Sequence, residues 1–305
     1  MAKFVLNTTM TLSSIALTAL TFRDGNEHLK LKALKGIQAP ITHPLDQPHY
    51  PTSAVDDDPL VKLIRRSDHL EEIEIFGPGF DLLELDFVSQ VVGDLPPVEV
   101  AGEESVPQIS NPLKLKNLKS LSMPSTHASP LMFSLLSSEL PSLQRLVVTP
   151  CDDVPYPTSL VSKFIQIHGS TLRSLHLYTT KGARKVSRPS PSDILLTCPN
   201  LIHLSLEFPL PQLTVPQGGT HPLQILSIPR PNQHCYQIIN TIVSSLRNLQ
   251  VICMRDVRWL PRGIATQAME TGTQGEMRAW KRKFVSHGVT VLDADMNSYE
   301  DLSRG

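Results

Sequence analysis

The hexapeptides LRSLHL at residues 172–177 and LIHLSL at residues 201–206 decide the fold of this chain. Each has an apolar residue in its first, fourth and sixth positions. Side chains of an extended segment alternate between two faces, so the fourth and sixth residues point to the same side. The same triplet recurs as Leu70-Ile73-Ile75, Leu118-Leu121-Met123, Leu143-Leu146-Val148, Leu223-Leu226-Ile228 and Leu249-Ile252-Met254, with Leu17-Leu20-Phe22 as a further match and Leu31-Leu34 as a partial one.

The spacing of these triplets predicts a repeat architecture. From Leu118 to Leu249 their first residues are separated by 25, 29, 29, 22 and 26 residues, a mean of about 26, and leucine-rich repeats run to about 20–29 residues. One repeat cannot bury its apolar face alone, whereas stacked repeats share a continuous core. We therefore predict an α/β fold, an irregular leucine-rich-repeat-like solenoid with a curved parallel sheet and short helices on its convex side.

Short helices are predicted between the strands. Three pairs, Asp58-Pro59, Ser129-Pro130 and Ser190-Pro191, put a capping side chain before a proline at the first helical position. A helix over residues 159–168 is expected to bury Leu160, Phe164 and Ile167. A last helix and strand, at residues 274–287 and 289–292, are expected to cap the sheet, with Met277, Trp280 and Phe284 on the inner face of that helix.

Composition limits the organisation of the chain. It has 305 residues, with 28 Lys and Arg against 29 Asp and Glu, and this balance argues against a nucleic-acid surface. The 26 prolines favour short elements over long helices. We predict three parts: a segment at 1–58 with one or two degenerate repeats and a Pro/Asp-rich loop, a solenoid at 59–256 with an acidic, proline-rich insertion at 93–112, and a capping helix, strand and tail at 257–305.

The sequence contains no recognisable catalytic motif. It has no Gly-x-Ser-x-Gly elbow, phosphate-binding loop or His-Glu-x-x-His helix, and its four cysteines form no Cys-x-x-Cys pair. We therefore predict a protein that is not an enzyme, with no metal or other cofactor and with free, buried thiols. Residues 4–22 lack charge but are rich in Ser and Thr, so a secretory signal or a membrane span is not expected and the predicted location is cytoplasmic or nuclear.

The predicted binding surface is the concave face of the sheet. Residues between the core leucines point onto this face because the strand period is two. A rigid row of polar and aromatic side chains of this kind recognises proteins or peptides. The middle of the row is the predicted site, formed by Ser174, His176, Tyr178, His203, Ser205 and Glu207, with Arg145 and Arg255 as flanking anchors.

The repeats resemble those of a known family. Several triplets begin with Asn-Leu or Ser-Leu, as at Asn117-Leu118, Ser142-Leu143, Asn200-Leu201 and Asn248-Leu249, and the chain closes with Trp280 and a His287-Gly288-Val289-x-Val291-Leu292-Asp293 segment. These features are similar to the repeat region of fungal F-box/leucine-rich-repeat proteins, over about residues 60–295. The resemblance implies that the repeats hold a substrate of a cullin ubiquitin ligase. The F-box that binds the ligase adaptor is not visible in residues 1–60.

Three alternatives stay open at this point. The chain could be a free-standing leucine-rich-repeat scaffold with no ligase link. It could be an enzyme on a closed β/α barrel, although a period of about 26 residues is short for eight closing strands. It could also be a secreted repeat protein.

Overall fold

The computed structural model describes residues 19–23, 30–38, 59–67, 69–76, 112–123, 130–148, 160–177, 190–218, 221–260 and 272–299. Within them the strands form one 10-stranded sheet in which spatial order follows chain order. The strands are β1 (Ala19–Arg23), β2 (Lys30–Gln38), β3 (Glu72–Phe76), β4 (Ser120–Met123), β5 (Arg145–Val148), β6 (Ser174–Leu177), β7 (His203–Ser205), β8 (Ile225–Ile228), β9 (Val251–Met254) and β10 (Thr290–Leu292).

Neighbouring strands from β2 to β10 pair in parallel. Leucines of the same repeat position meet across the sheet, as Leu146 opposite Leu175 and Leu175 opposite Leu204. From β3 to β9 the first residue of each predicted triplet lies just before its strand and the fourth lies on it, and all three residues are buried in one core. Strands β1 and β10 stand at opposite ends of the order, so the described sheet is open and the closed-barrel alternative is excluded.

The first strand differs from the expected parallel stacking. Strand β1 runs antiparallel to β2, with Leu20 opposite Leu34 and a register shift between Thr21 and Phe22. The two strands are separated by only a few residues, and so short a connection returns the chain in the reverse direction, whereas a parallel pair needs a crossover of a dozen or more residues. Leu20 and Phe22 therefore lie on a strand, as predicted, but this strand is not a parallel repeat, and Leu17 lies outside the described residues.

Helices connect the strands and pack on one side of the sheet. They are α1 (Pro59–Arg65), α2 (Pro130–Leu136), α3 (Leu160–His168), α4 (Ile194–Thr197), α5 (Gln233–Val243) and α6 (Gly272–Phe284). Buried residues of these helices belong to the same hydrophobic core as the strand leucines. In α4 and the turn after it, Ile194, Leu195 and Cys198 are fully buried.

Helix α3 buries a different face from the expected one. Phe164 is buried as predicted, but Ile167 is 55% exposed and the core contacts come from Val161, Ile165 and His168. The expected and the observed set of buried residues are both spaced three or four residues apart, as on one face of a helix, and both contain Phe164. The helix turns His168 inward because its Nε2 atom lies 3.2 Å from the carbonyl oxygen of Leu135, in the preceding repeat.

Polar side chains link consecutive turns just before the strands. Asn200 Nδ2 donates to the Ser170 carbonyl at 2.7 Å, and Asn248 Nδ2 donates to the His221 carbonyl at 3.0 Å. His221 Nε2 in turn lies 3.0 Å from the Cys198 carbonyl oxygen. These bonds satisfy turn carbonyls that the sheet ladder does not reach. Polar side chains thus form a short series of bonds between neighbouring turns before the strands.

The described C-terminal part closes the sheet. Met277, Trp280 and Phe284 of α6 are buried, as predicted, and β10 pairs in parallel with β9. The chain then turns around the buried carboxylate of Asp293, which accepts hydrogen bonds from the backbone N–H groups of Trp259, Asp295 and Asn297. A helix and the last strand of the sheet thus occupy this end of the described chain. The Pro/Asp-rich loop of the first segment and nearly all of the insertion at 93–112 lie outside the described residues.

Candidate binding face of the sheet

The side of the sheet opposite the helices carries the side chains that alternate with the core leucines. We call this surface the polar face. Its members lie in two registered rows, and the first row is Glu72, Ser120, Arg145, Ser174, His203, Ile225 and Val251. The second row is Glu74, Ser122, Val147, His176, Ser205, Ser227 and Cys253. Each strand from β3 to β9 thus contributes one side chain to each row.

Two histidines form the centre of this face. His176 on β6 and His203 on β7 pack edge to face, with ring centroids 4.5 Å apart. His176 Nε2 lies 2.8 Å from Ser174 Oγ, and His203 Nε2 lies 2.8 Å from Ser227 Oγ. Each ring is thus fixed by a hydroxyl of the same face, one from its own strand and one from the next.

Both imidazoles are held neutral by their surroundings. Burial lowers the pKa of His176 to about 3, and the charges of His203, Arg145 and Arg255 act in the same direction. Burial also lowers the pKa of His203, helped by the same two arginines. A protonated ring here would lose hydration and face two guanidinium groups. Near neutral pH the pair therefore supplies neutral hydrogen-bonding groups, and the positive charge of the site belongs to the arginines.

Arg255 crosses the polar face instead of standing free at its edge. It follows β9, yet its Nη2 atom donates to the carbonyl oxygen of Leu206 at 2.8 Å and to Glu207 Oε2 at 3.1 Å. Leu206 immediately follows β7, so the side chain passes over β8. The Arg255 and Glu207 side chains are only 20% and 18% exposed. The ion pair is therefore screened less than a surface pair.

A proline explains why Arg255 takes this path. Leu206 N donates to the Ser227 carbonyl at 2.9 Å, which continues the parallel register of β7 and β8. In that register the next ladder bond would run to the Leu206 carbonyl from residue 229, which is a proline and has no N–H. The equivalent bond one strand along is present, from Arg255 N to the Ile228 carbonyl at 2.8 Å. The Arg255 side chain thus replaces the donor that Pro229 lacks.

The polar face is partly closed at its C-terminal end. Ser205, Ser227 and Cys253 are buried although they point away from the core. Arg255 crosses this part of the sheet, and Cys253 Sγ donates to the Asp293 carbonyl at 3.4 Å. Ser205 Oγ is buried without a hydrogen-bond partner. Ser205 therefore lies on the predicted face, but with a buried side chain.

The structure brings most of the predicted site together. Arg145, Ser174, His176 and His203 form one cluster on β5–β7, and Glu207 joins Arg255 beside it. Tyr178 lies outside the described residues. The roles of two further residues were not predicted: Ser227 bonds to His203, and Pro229 redirects Arg255. Only the break that a proline makes in a strand ladder signals the second role.

The cluster has no arrangement typical of a catalytic or metal site. Within the part of the chain that the structure describes, no group of three or more His, Cys, Asp or Glu side chains could hold a metal ion. Cys198, Cys235 and Cys253 are buried free thiols, as predicted, and burial raises the pKa of Cys198 to about 12 and of Cys235 to about 11. Such thiols are poor nucleophiles, because the thiolate is the reactive form.

Comparison of this chain with protein-family models and with curated proteins finds no match. No helix among the described residues is long and apolar enough to cross a membrane.

Proposed function

We propose that the chain is a leucine-rich-repeat solenoid that acts as a non-enzymatic protein-interaction module through its polar face. One observation carries the proposal: seven consecutive parallel strands, β3 to β9, present two registered rows of side chains on the side away from the helices. Strands about 4.8 Å apart make such rows a rigid platform with a fixed spacing of side chains. Repeat proteins use extended surfaces of this kind for binding.

The resemblance to fungal F-box/leucine-rich-repeat proteins extends the proposal. On that basis the chain is the substrate-binding part of a ubiquitin-ligase receptor and works in the cytoplasm or nucleus. A free-standing scaffold would use the same face without a ligase. Co-purification of the full chain with the cullin-ligase adaptor tests this extension: retention of the adaptor supports a receptor, and its loss supports a scaffold.

Site-specific photo-crosslinking tests the interaction face itself. The full chain is expressed in its native cell with a photoreactive phenylalanine analogue at Glu74 or Ser122 on the polar face. A matched chain carries the analogue at Gln166, an exposed position on α3. We expect one partner protein to be attached from both polar-face positions and not from Gln166. Equal labelling from all three positions, or labelling from Gln166 alone, would contradict the proposed face.

A further inference from the structure

The charge on the polar face is unevenly distributed. Glu72 and Glu74 lie on β3, while Arg145 lies on β5 and Arg255 reaches across to β7. Arg255 is paired with Glu207, whereas the exposed Arg145 side chain has no carboxylate within bonding distance among the described residues. The region from β5 to β7 therefore holds one guanidinium charge that no acidic group of the described chain balances.

The histidine pair adds hydrogen-bonding groups beside that charge. Both Nε2 atoms are engaged by serine hydroxyls, and neither Nδ1 atom has a partner in the part of the chain that the structure describes. A neutral imidazole that accepts a hydroxyl proton at Nε2 carries its own proton on Nδ1. In the tautomer whose Nε2 accepts the serine proton, His176 and His203 each have one N–H, at Nδ1, that can donate to an incoming acceptor without the ring becoming charged.

Two buried polar atoms at this site lack a partner. Ser205 is fully buried, with its Oγ atom unbonded, and it lies next to His176 in the second row. Arg255 Nε is likewise buried and unbonded. Buried donors without acceptors are unfavourable. Because both atoms are buried, they add to the polarity of the site but do not themselves contact a ligand that approaches the exposed Arg145.

We propose that the polar face from β5 to β7 binds an extended acidic segment of a partner protein, with an Asp or Glu carboxylate held by Arg145 and the His176–His203 pair. The proposal rests on the interaction module proposed above and assigns the chemistry of its partner. A carboxylate fits better than a phosphate group, because the one unbalanced guanidinium charge matches a monoanion. Charge-assisted bonds from arginine to carboxylate are among the strong hydrogen bonds of proteins.

Fluorescence anisotropy with labelled octapeptides tests this assignment on the full chain. One peptide repeats Ser-Glu, one repeats Ser-Gln, and one carries phosphoserine in place of Glu. We expect the Ser-Glu peptide to bind about tenfold more tightly than the Ser-Gln peptide, as expected for one charge-assisted hydrogen bond. Arg145→Gln should abolish this preference. Arg247→Gln, which removes an exposed arginine from the turn before β9, should retain it.

Each other outcome has a defined meaning. Equal binding of the Ser-Glu and Ser-Gln peptides, no binding of either, or a preference that survives Arg145→Gln would overturn the proposal. Tighter binding of the phosphoserine peptide would replace the carboxylate with a phosphate. Since Arg145 is exposed, unchanged thermal unfolding of Arg145→Gln would show that the variant is folded.

The two proposals can fail separately. If crosslinking from Glu74 and Ser122 succeeds while the peptide preference is absent, the acidic partner is wrong and the interaction face stands. If the crosslinking also fails, the proposed function is wrong.

Discussion

Arg255 donates a hydrogen bond to the backbone carbonyl of Leu206, two strands away in the sheet, at 2.8 Å. The bond occupies the place of a ladder bond that Pro229 cannot make. The Arg255 side chain thus supplies the hydrogen bond to Leu206 that a backbone N–H supplies elsewhere in the sheet.

A double-mutant cycle tests this relationship. Arg255→Met should lower the free energy of unfolding by about 1–3 kcal/mol, because it leaves the Leu206 carbonyl without a donor. In a Pro229→Ala chain the new N–H can bond to that carbonyl, so the same Arg255 substitution should have a smaller effect. Urea denaturation measures both. Glu207→Gln is the control, since it removes the ion pair and keeps the carbonyl bond; strictly additive effects of Arg255→Met and Pro229→Ala would contradict the explanation.

The histidine pair predicts a pH dependence of stability. The pKa of His176 is about 3 in the folded chain, and that of His203 is also lowered, whereas an unfolded histidine titrates near about 6.5. Between these values the unfolded chain binds more protons. The free energy of unfolding should therefore be highest above about pH 6.5 and fall as the pH is lowered towards 3.

The contribution of the pair can be separated from that of other histidines. Burial also lowers the pKa of His168 and of His221, so these residues share the loss of stability in acid. His176→Gln should reduce the slope of stability against pH without removing it. His234→Gln, at an exposed position of α5, is the matched control. Chemical denaturation at several pH values measures the slopes, and identical slopes for the wild type and His176→Gln would be inconsistent with a buried neutral pair.

Gly169 has little room for a side chain. A Cβ atom placed there would lie 2.8 Å from Cys198 Sγ and 2.9 Å from the Thr197 carbonyl oxygen. Gly169→Ala should therefore destabilise the fold by about 1–3 kcal/mol through overpacking. Adding Cys198→Ala should recover only part of the loss, since the carbonyl oxygen remains. Thermal unfolding measures the loss of stability, with Ser170→Ala as the control. If Gly169→Ala left the stability unchanged, the neighbouring repeats would have to move apart easily.

The carboxylate of Asp293 should be a major contributor to the C-terminal turn. It is buried and accepts three backbone N–H bonds, at 2.9, 3.0 and 3.1 Å. Asp293→Ala should lower the free energy of unfolding by about 2–4 kcal/mol, because three donors lose their acceptor. Asp295→Asn is the comparison: it weakens an exposed pair with Arg258 and should change stability by less than about 1 kcal/mol. Similar losses for the two variants in guanidinium denaturation would contradict this role.

Much of the architecture was predictable because two independent signals coincide. Leu175 and Leu177 lie on the same face because side chains of a strand alternate with a period of two. The next triplet follows after a stretch long enough for one short helix that returns the chain to the start of a parallel strand. The face of α3 was not predictable, since two sets with helical spacing overlap at Phe164. The buried face of α3 includes His168, and a polar residue is buried only where it has a hydrogen-bond partner. That partner is the Leu135 carbonyl, which belongs to another repeat and cannot be identified from the sequence of the helix.

The candidate site was predictable in position but not in detail. Strand alternation alone places His176 and His203 on the polar face. Their contact, and the path of Arg255 over β8, depend on bonds between residues on different repeats. The effect of Pro229 on Arg255 could not be predicted from the sequence. It depends on which carbonyl would have accepted a hydrogen bond from an N–H at position 229, and only the register of the strands shows that.

The order of the sheet has a mechanical consequence. Each described strand bonds only to those that flank it in the chain, so a force applied to the two ends passes through each pair of neighbouring strands in turn. Pulling on the two ends should open the terminal repeats before the interior ones. The neutral imidazole pair, near the middle of the row, would be among the last regions to lose its geometry.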